Sequence, residues 1–317
     1  LCRLPELNWG HKVFQTFALP TELKRLNALL YTLFQLFLST LLNGNAFGGP
    51  ILYSRGGICY SQNAMSTNDV PLLEVKDLRF WFDKNQTILH DVSFSIPKGS
   101  LTLLSGPNGS GKSLLMRIIK GLTQSKAGSL LLEGSDVTGE PKKRMRSIGL
   151  VFQDAETQVV GQTVEKDIRF GMENLGLDAD EQQRRLAEVA DLLDLERYLD
   201  RRPKTLSGGE KRRLAIAGVL VMQPDLLILD EPFANLDWRS TVSVLTNLMR
   251  LKAEGHTILL VSHEVEKTLA HADHVLILDE GTIALSGRKE EVYPHLGGHG
   301  IYVPRGVPIE ELSWLKP

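Results

Sequence analysis

Leu101-Thr102-Leu103-Leu104-Ser105-Gly106-Pro107-Asn108-Gly109-Ser110-Gly111-Lys112-Ser113-Leu114-Leu115-Met116-Arg117-Ile118-Ile119 is the stretch that decides the architecture. An apolar run reads as a strand, eight residues in the spacing G-x-x-x-x-G-K-S read as a phosphate-binding turn, and the residues after them read as a helix. The residue types follow from the chemistry. Glycines let several backbone N–H groups converge on one anion, and the N-terminus of the following helix adds positive dipole. Lys112 would place a point charge on the β- and γ-phosphates, and the hydroxyl of Ser113 suits Mg²⁺. The stretch therefore predicts a nucleoside triphosphate site. In isolation the pattern would also allow a glycine-rich turn that holds nothing, so the rest of the chain has to decide.

With 317 residues, 42% hydrophobic and 23% charged, the chain has enough apolar material for one large domain or two small ones. A formal charge of −2 argues against a general polyanion binder. The first methionine is Met65, and both cysteines, Cys2 and Cys59, precede it. A body free of cysteine suits a reducing compartment and contains no disulfide framework. Residues 1–64 carry a net charge of +3, which leaves −5 on the remainder. Within them Leu26 to Leu42 is an uncharged run of 17 residues after Lys24 and Arg25, at the lower limit for a membrane span. The expectation is that the functional protein starts at Met65 and that 1–64 is a non-native extension. A short membrane anchor is the alternative, and a secretory signal ranks last because it would separate the triphosphate site from its ligand.

From Leu72 the pattern predicts short strands at Leu72–Val75, Leu78–Phe82, Val92–Ile96, Ser129–Glu133 and Ile148–Phe152. Residues 164–200 read as helical, with Leu186, Val189, Leu192, Leu193 and Leu195 near helical spacing. A further helix follows Ser207-Gly208-Gly209. Then Leu226–Leu229, a helix to about Ala253, Thr257–Val261, another helix and Val275–Leu278 alternate. Continuous apolar strands between helices predict an α/β fold with a parallel sheet buried on both faces. Residues 299–317 read as a packed tail.

Asp225-Leu226-Leu227-Ile228-Leu229-Asp230-Glu231-Pro232 is a buried strand ending in two acids. Asp230 is placed to hold Mg²⁺, and Glu231 to act as general base on an attacking water. Leu206-Ser207-Gly208-Gly209-Glu210 offers a second anion nest at a helix start, or by the plainer reading an N-cap with flexible glycines. Two nests in one chain make sense if the second closes over a triphosphate bound by another copy.

With these motifs in this order, residues 72–298 resemble the ATP-binding-cassette (ABC) ATPases, a P-loop NTPase fold. The resemblance implies a mainly parallel core sheet, an antiparallel β subdomain and a helical signature subdomain at about 154–210, within a domain spanning 65–298. It makes Gly106, Pro107, Asn108, Gly109, Ser110, Gly111, Lys112 and Ser113 the ATP phosphate cradle, with Phe82 stacking on adenine. Phe82 replaces the commoner tyrosine, and Trp81 beside it is a candidate for the same role. Gln153 resembles the Q-loop glutamine that joins Ser113 and Asp230 at Mg²⁺. Ala234-Asn235-Leu236-Asp237 resembles the D-loop, and His263 the switch histidine. Glu231, His263, Gln153 and Lys112 would be the catalytic set. Ser207, Gly208, Gly209 and Glu210 would act on the partner's ATP in a head-to-tail dimer with a second copy or a paralogue.

Phe152 to Leu177, and above all Val164, Glu165, Asp167, Phe170, Gly171, Glu173, Asn174, Leu175 and Gly176, resembles the energy-coupling-factor ATPases, which include the cobalt and nickel uptake type. That resemblance implies an importer for a transition metal or a vitamin. Its partners would be a membrane coupling subunit, docked near Gln153 with Val159 and Val160 facing it, and a membrane substrate-binding subunit. The location implied is the cytoplasmic face of the membrane, with no nucleic-acid partner. An ATPase of another ABC transporter class, or a soluble ABC ATPase, would be the alternative. Three further features are assigned no role: His271-Ala272-Asp273-His274 as a metal site, His295 and His299 in the tail, and Lys142-Lys143-Arg144 with Arg146, which reads as a solvated basic face.

Overall fold

The alternation of side chains along four apolar strands builds two cores at once. On β5 (Leu101–Ser105), Leu101 and Leu103 enter one core while Leu104 enters the other. Leu227 and Leu229 of β9 (Leu226–Asp230) part in the same way from Leu226 and Ile228. So do Ile258 and Leu260 of β10 (Thr257–Val261) from Leu259 and Val261, and Val275 and Ile277 of β11 (His274–Asp279) from Leu276 and Leu278. A sheet buried on both faces requires this, and each leucine so buried contributes about 1.5–3 kcal/mol over an exposed one. The computed structural model describes residues 52–54, 57–59, 70–83, 86–304 and 306–315. The expectations about Leu26–Leu42 and Met65 lie outside the described residues.

The central sheet has six strands in the order β12-β11-β5-β10-β9-β8, where β8 is Ile148–Val151 and β12 is Thr282–Arg288. Its pairings are parallel except that of β11 with β12. A separate antiparallel sheet runs β4-β3-β6-β7, from β3 (Leu73–Asp83), β4 (Gln86–Ile96), β6 (Ala127–Leu132) and β7 (Ser135–Asp136). Earlier in the chain β1 (Leu52–Ser54) and β2 (Gly57–Cys59) form an antiparallel pair. Buried residues of β3, β4 and α1 (Lys112–Lys120) make one core with one face of the central sheet. Helices α3 (Val164–Asn174), α4 (Ala179–Leu192), α5 (Gly208–Leu220) and α6 (Trp238–Ala253) pack in the other. The expected α/β class with a mainly parallel sheet and an antiparallel sheet is the fold observed.

Several local expectations are corrected. The helical stretch 164–200 is two α-helices, separated at Gly176 with φ +70° and restarted at Asp178, which N-caps α4 by accepting the Glu181 N–H at 2.9 Å. No α-helix joins β10 to β11. Val265–Lys267 and Leu269–His271 are short 3₁₀ turns divided at Thr268, whose φ of −130° breaks the helix. In place of two strands at Leu72–Val75 and Leu78–Phe82 there is one, Leu73–Asp83, kinked at Asp77 with φ +47°. The basic run forms α2 (Pro141–Ser147), but Arg144 is 2% exposed and donates to the carbonyls of Val137 and Thr138, both at 2.7 Å, so it is an internal brace and no part of a solvated face. The tail packs on the body: Ile301, Ile309 and Leu312 are buried, and Trp314 lies 4.6 Å from Trp238. Lys289–Val292 forms a last short helix, α7.

Among the described residues no helix is long and apolar enough to cross a membrane.

Candidate functional site

Parallel strands bring their carboxyl ends to one edge, where a ligand crevice forms in open α/β sheets. β5 there enters the turn 106–111 and α1. β9 ends in Asp230 and is followed by Glu231, β10 is followed by Ser262 and His263, and β8 by Phe152 and Gln153. The result is a cleft of about 380 Å³ lined by Asn108, Gly109, Gly111, Lys112, Ser113, Leu114, Gln153, Asp230, Glu231 and His263.

The turn is shaped by glycine where other residues would not fit. Gly106 has φ +147°, and a Cβ there would stand 1.9 Å from the Leu278 carbonyl oxygen. Gly111 N-caps α1 at φ +104°, its Cβ position only 2.8 Å from Leu89. Lys112 turns its ammonium inward and donates to the carbonyls of Gly106 at 2.7 Å and Pro107 at 2.8 Å. Burial pushes its pKa down, while Glu231 and Asp230 oppose that shift. The Ser110 hydroxyl is buried without a hydrogen-bond partner.

Glu231 is the most constrained group in the cleft. It is 8% exposed and holds φ +46°, a sparsely populated conformation for such a side chain. Its Oε1 accepts the His263 backbone N–H at 2.9 Å and lies 2.6 Å from His263 Nδ1, while Oε2 accepts the Ser262 hydroxyl at 3.1 Å. Ser262 was missed at the level of sequence, because a serine beside a histidine carries no signal until both are seen on one carboxylate. Asp230, next to it, has its pKa raised to about 6, first by burial and then by the Glu231 charge, against Lys112, Arg212 and Arg117. A carboxylate held at such a cost is suited to a cation. With the Ser113 hydroxyl and the Gln153 amide it makes an all-oxygen donor set, which fits Mg²⁺ beside substrate phosphates.

The other expected residues lie elsewhere. Ser207 N-caps α5 in a capping box: its Oγ accepts the Glu210 N–H at 3.3 Å, and Glu210 Oε2 accepts the Ser207 N–H at 2.7 Å. Asp237 N-caps α6, accepting the Ser240 N–H at 2.7 Å. The two helix starts adjoin, since a Cβ on Gly209 would meet Ser240 Cβ at 2.8 Å and one on Gly208 would meet Leu236 at 3.3 Å. None of Ser207, Gly208, Gly209, Glu210 and Asp237 lines the cleft. Nor does Phe82, which is 74% exposed on β3 and packs edge-on against Phe80 at 5.1 Å, with Trp81 half-buried beside it. Val159 and Val160 line a second groove with Gln162, Pro203 and Lys211. His271 faces the Ser313 hydroxyl at 3.0 Å and His299 faces Asp279 at 3.0 Å.

A phosphate-binding turn on a parallel sheet, with two acids and a histidine at the ends of neighbouring strands, defines a P-loop ATPase. The family model described as ABC transporter matches residues 89–234. A putative ABC transporter ATP-binding protein of Pyrococcus horikoshii is 36% identical over 242 residues, covering 76% of this chain and 93% of that protein. The energy-coupling factor transporter ATP-binding protein EcfA1 of Streptococcus sanguinis is 36% identical over 227 residues, covering 70% and 81%. Among solved structures, cbiO1 from Clostridium perfringens, part of the ABC transporter complex cbiONQ, matches with a TM-score of 0.68 at 33% identity, over 71% of this chain and 91% of that one. This chain belongs to the ABC transporter ATP-binding proteins, ATPases coupled to transport.

Proposed function

We propose that the chain is the ATP-hydrolysing subunit of an energy-coupling-factor type importer, serving uptake of a transition metal ion such as cobalt or nickel, or of a vitamin. The observation that carries the chemistry is Glu231 at the mouth of the phosphate turn, oriented by Ser262 and His263. What supports the subclass is the run Val164 to Gly176, together with the similarity to EcfA1 and cbiO1.

In this reading the backbone from Asn108 to Ser113 cradles the phosphates of ATP, Lys112 sets its charge on the β- and γ-oxygens, and Phe82 stacks on the base. Ser113, Asp230 and Gln153 would hold Mg²⁺, whose charge would neutralise the phosphate oxygens. Glu231 takes the proton of the attacking water. His263, at 2.6 Å from Glu231, fixes that carboxylate and presents its ring to the γ-phosphate. A second copy or a paralogue supplies Ser207, Gly208, Gly209 and Glu210 across a head-to-tail dimer, with Asp237 at the same interface. A membrane coupling subunit docks over Val159 and Val160, and a membrane substrate-binding subunit brings the cargo, which places this chain on the cytoplasmic face of the membrane. The ATPase domain is assigned to 65–298, with 1–64 as an extension and 299–317 as a tail.

The test is native-membrane co-purification of a tagged chain starting at Met65, with mass spectrometry of what accompanies it. A small membrane coupling subunit together with a substrate-binding membrane protein is the expected result. A conventional permease would overturn the subclass and leave the ATPase chemistry. No membrane partner at all, with ATPase activity intact, would point to a soluble ABC ATPase instead.

A further inference from the structure

The turn that carries Gln153 is gripped by side chains that no step above uses. Arg212, on α5 and 4% exposed, donates from Nη1 to the Phe152 carbonyl at 2.9 Å and from Nη2 to the Gln153 carbonyl at 2.7 Å. Lys211, its neighbour on α5, reaches Glu156 in the same turn at 2.7 Å. From the other side Gln158 closes the turn on itself: its Oε1 accepts the Phe152 N–H at 2.7 Å and its Nε2 donates to the Leu150 carbonyl at 3.1 Å. The backbone of Phe152 is thereby bound through both its N–H and its C=O, and Gln153 through its C=O.

Packing alone does not account for Arg212. Its Nε is buried without a partner, and its two hydrogen bonds go to neutral carbonyls, a costly way to fill space that an apolar side chain would fill better. What the planar fork supplies is a fixed distance and angle to two successive carbonyls, and so a fixed backbone from which the Gln153 side chain departs at the cleft that Ser113 and Asp230 also line. The same fork ties this turn to the helix whose N-cap is Ser207, five positions upstream.

We propose that Arg212 and Gln158 are positioning residues for ATP hydrolysis, a clasp that sets the Gln153 backbone and joins it to the signature helix α5. The proposal rests on the function proposed above. A positioning role has a distinct kinetic mark, because displacing a reactive group by about 1 Å can cost on the order of 100-fold in rate.

The test is a double-mutant cycle in the full chain. Arg212→Gln, which cannot fork both carbonyls, should lower kcat about tenfold or more and leave the KM for ATP within about twofold, an effect of the size expected for lost alignment. In a Gln153→Ala background the same change should cost nothing further, since no side chain remains to be aligned. Arg212→Lys should recover part of the loss through one carbonyl. Gln158→Leu, at a less buried position, should reproduce the pattern and keeps the test decisive if Arg212→Gln fails to fold. Full additivity with Gln153→Ala would overturn the clasp. So would parental rates in folded Arg212→Gln and Gln158→Leu chains. A parental chain without ATPase activity would instead remove the underlying function, and the clasp with it.

Discussion

Asp230 and Glu231 stand side by side at one strand end, yet their surroundings hold them differently. Glu231 is braced by three donors from Ser262 and His263, whereas Asp230 is left with burial and a neighbouring charge that lift its pKa to about 6. The stability consequence has a definite sign. A carboxyl whose folded pKa is raised binds its proton more tightly in the folded state, so its favourable contribution is complete below about pH 4 and is lost as pH rises through about 6. Asp230→Asn should therefore raise the thermal midpoint at pH 8 in divalent-free buffer, with the gain vanishing near pH 4. A variant less stable at pH 8 than its parent would show that the strained charge is not there. Residues of this kind were legible in the sequence because an eight-residue glycine-rich motif between a strand and a helix, and two acids after an apolar strand, have few other uses. Arg144, Arg212 and Ser262 were not. Cations on a helix read as solvated, and only the carbonyls of the preceding turn around Arg144, and of the distant Phe152–Gln153 turn around Arg212, reveal the two as internal.

At the scale of elements, β5, β9, β10 and β11 were legible because their apolar runs are continuous, as a doubly covered parallel strand demands. The break at Gly176 and the 3₁₀ turns after His263 were not, because helical spacing continues across the first and the second is governed by contacts far along the chain. Lys267 there bonds Glu264 at 2.5 Å and lies 5.0 Å from the ring of Trp314, in the tail. The join between β5 and α1 is equally dependent on a distant strand, since Gly106 runs against the Leu278 carbonyl at the end of β11. Gly106→Ala should destabilise the fold by about 3 kcal/mol, read from urea unfolding, as backbone strain and overpacking act together. A loss below about 0.5 kcal/mol, the level of an ordinary surface substitution, would mean that the turn can move off β11 freely.

For the whole molecule, the residues expected to act on ATP fall, Phe82 apart, into two groups. One lines the cleft, and the other, Ser207 to Glu210 with Asp237, gathers at the adjoining starts of α5 and α6. In the function proposed above, a second copy or a paralogue would complete the site, and bound ATP would then favour the closed pair. Glu231, in that same proposed function, is the general base of that site. The measurement is ATP binding and steady-state hydrolysis by the parental chain and by Glu231→Gln, with the oligomeric state followed by gel filtration in ATP and Mg²⁺. Because a positioned base contributes about 10²–10⁴-fold, the variant should bind ATP as the parent does, hydrolyse it at least about 100-fold more slowly, and accumulate as a dimer. Hydrolysis at the parental rate would mean that Glu231 is not the base.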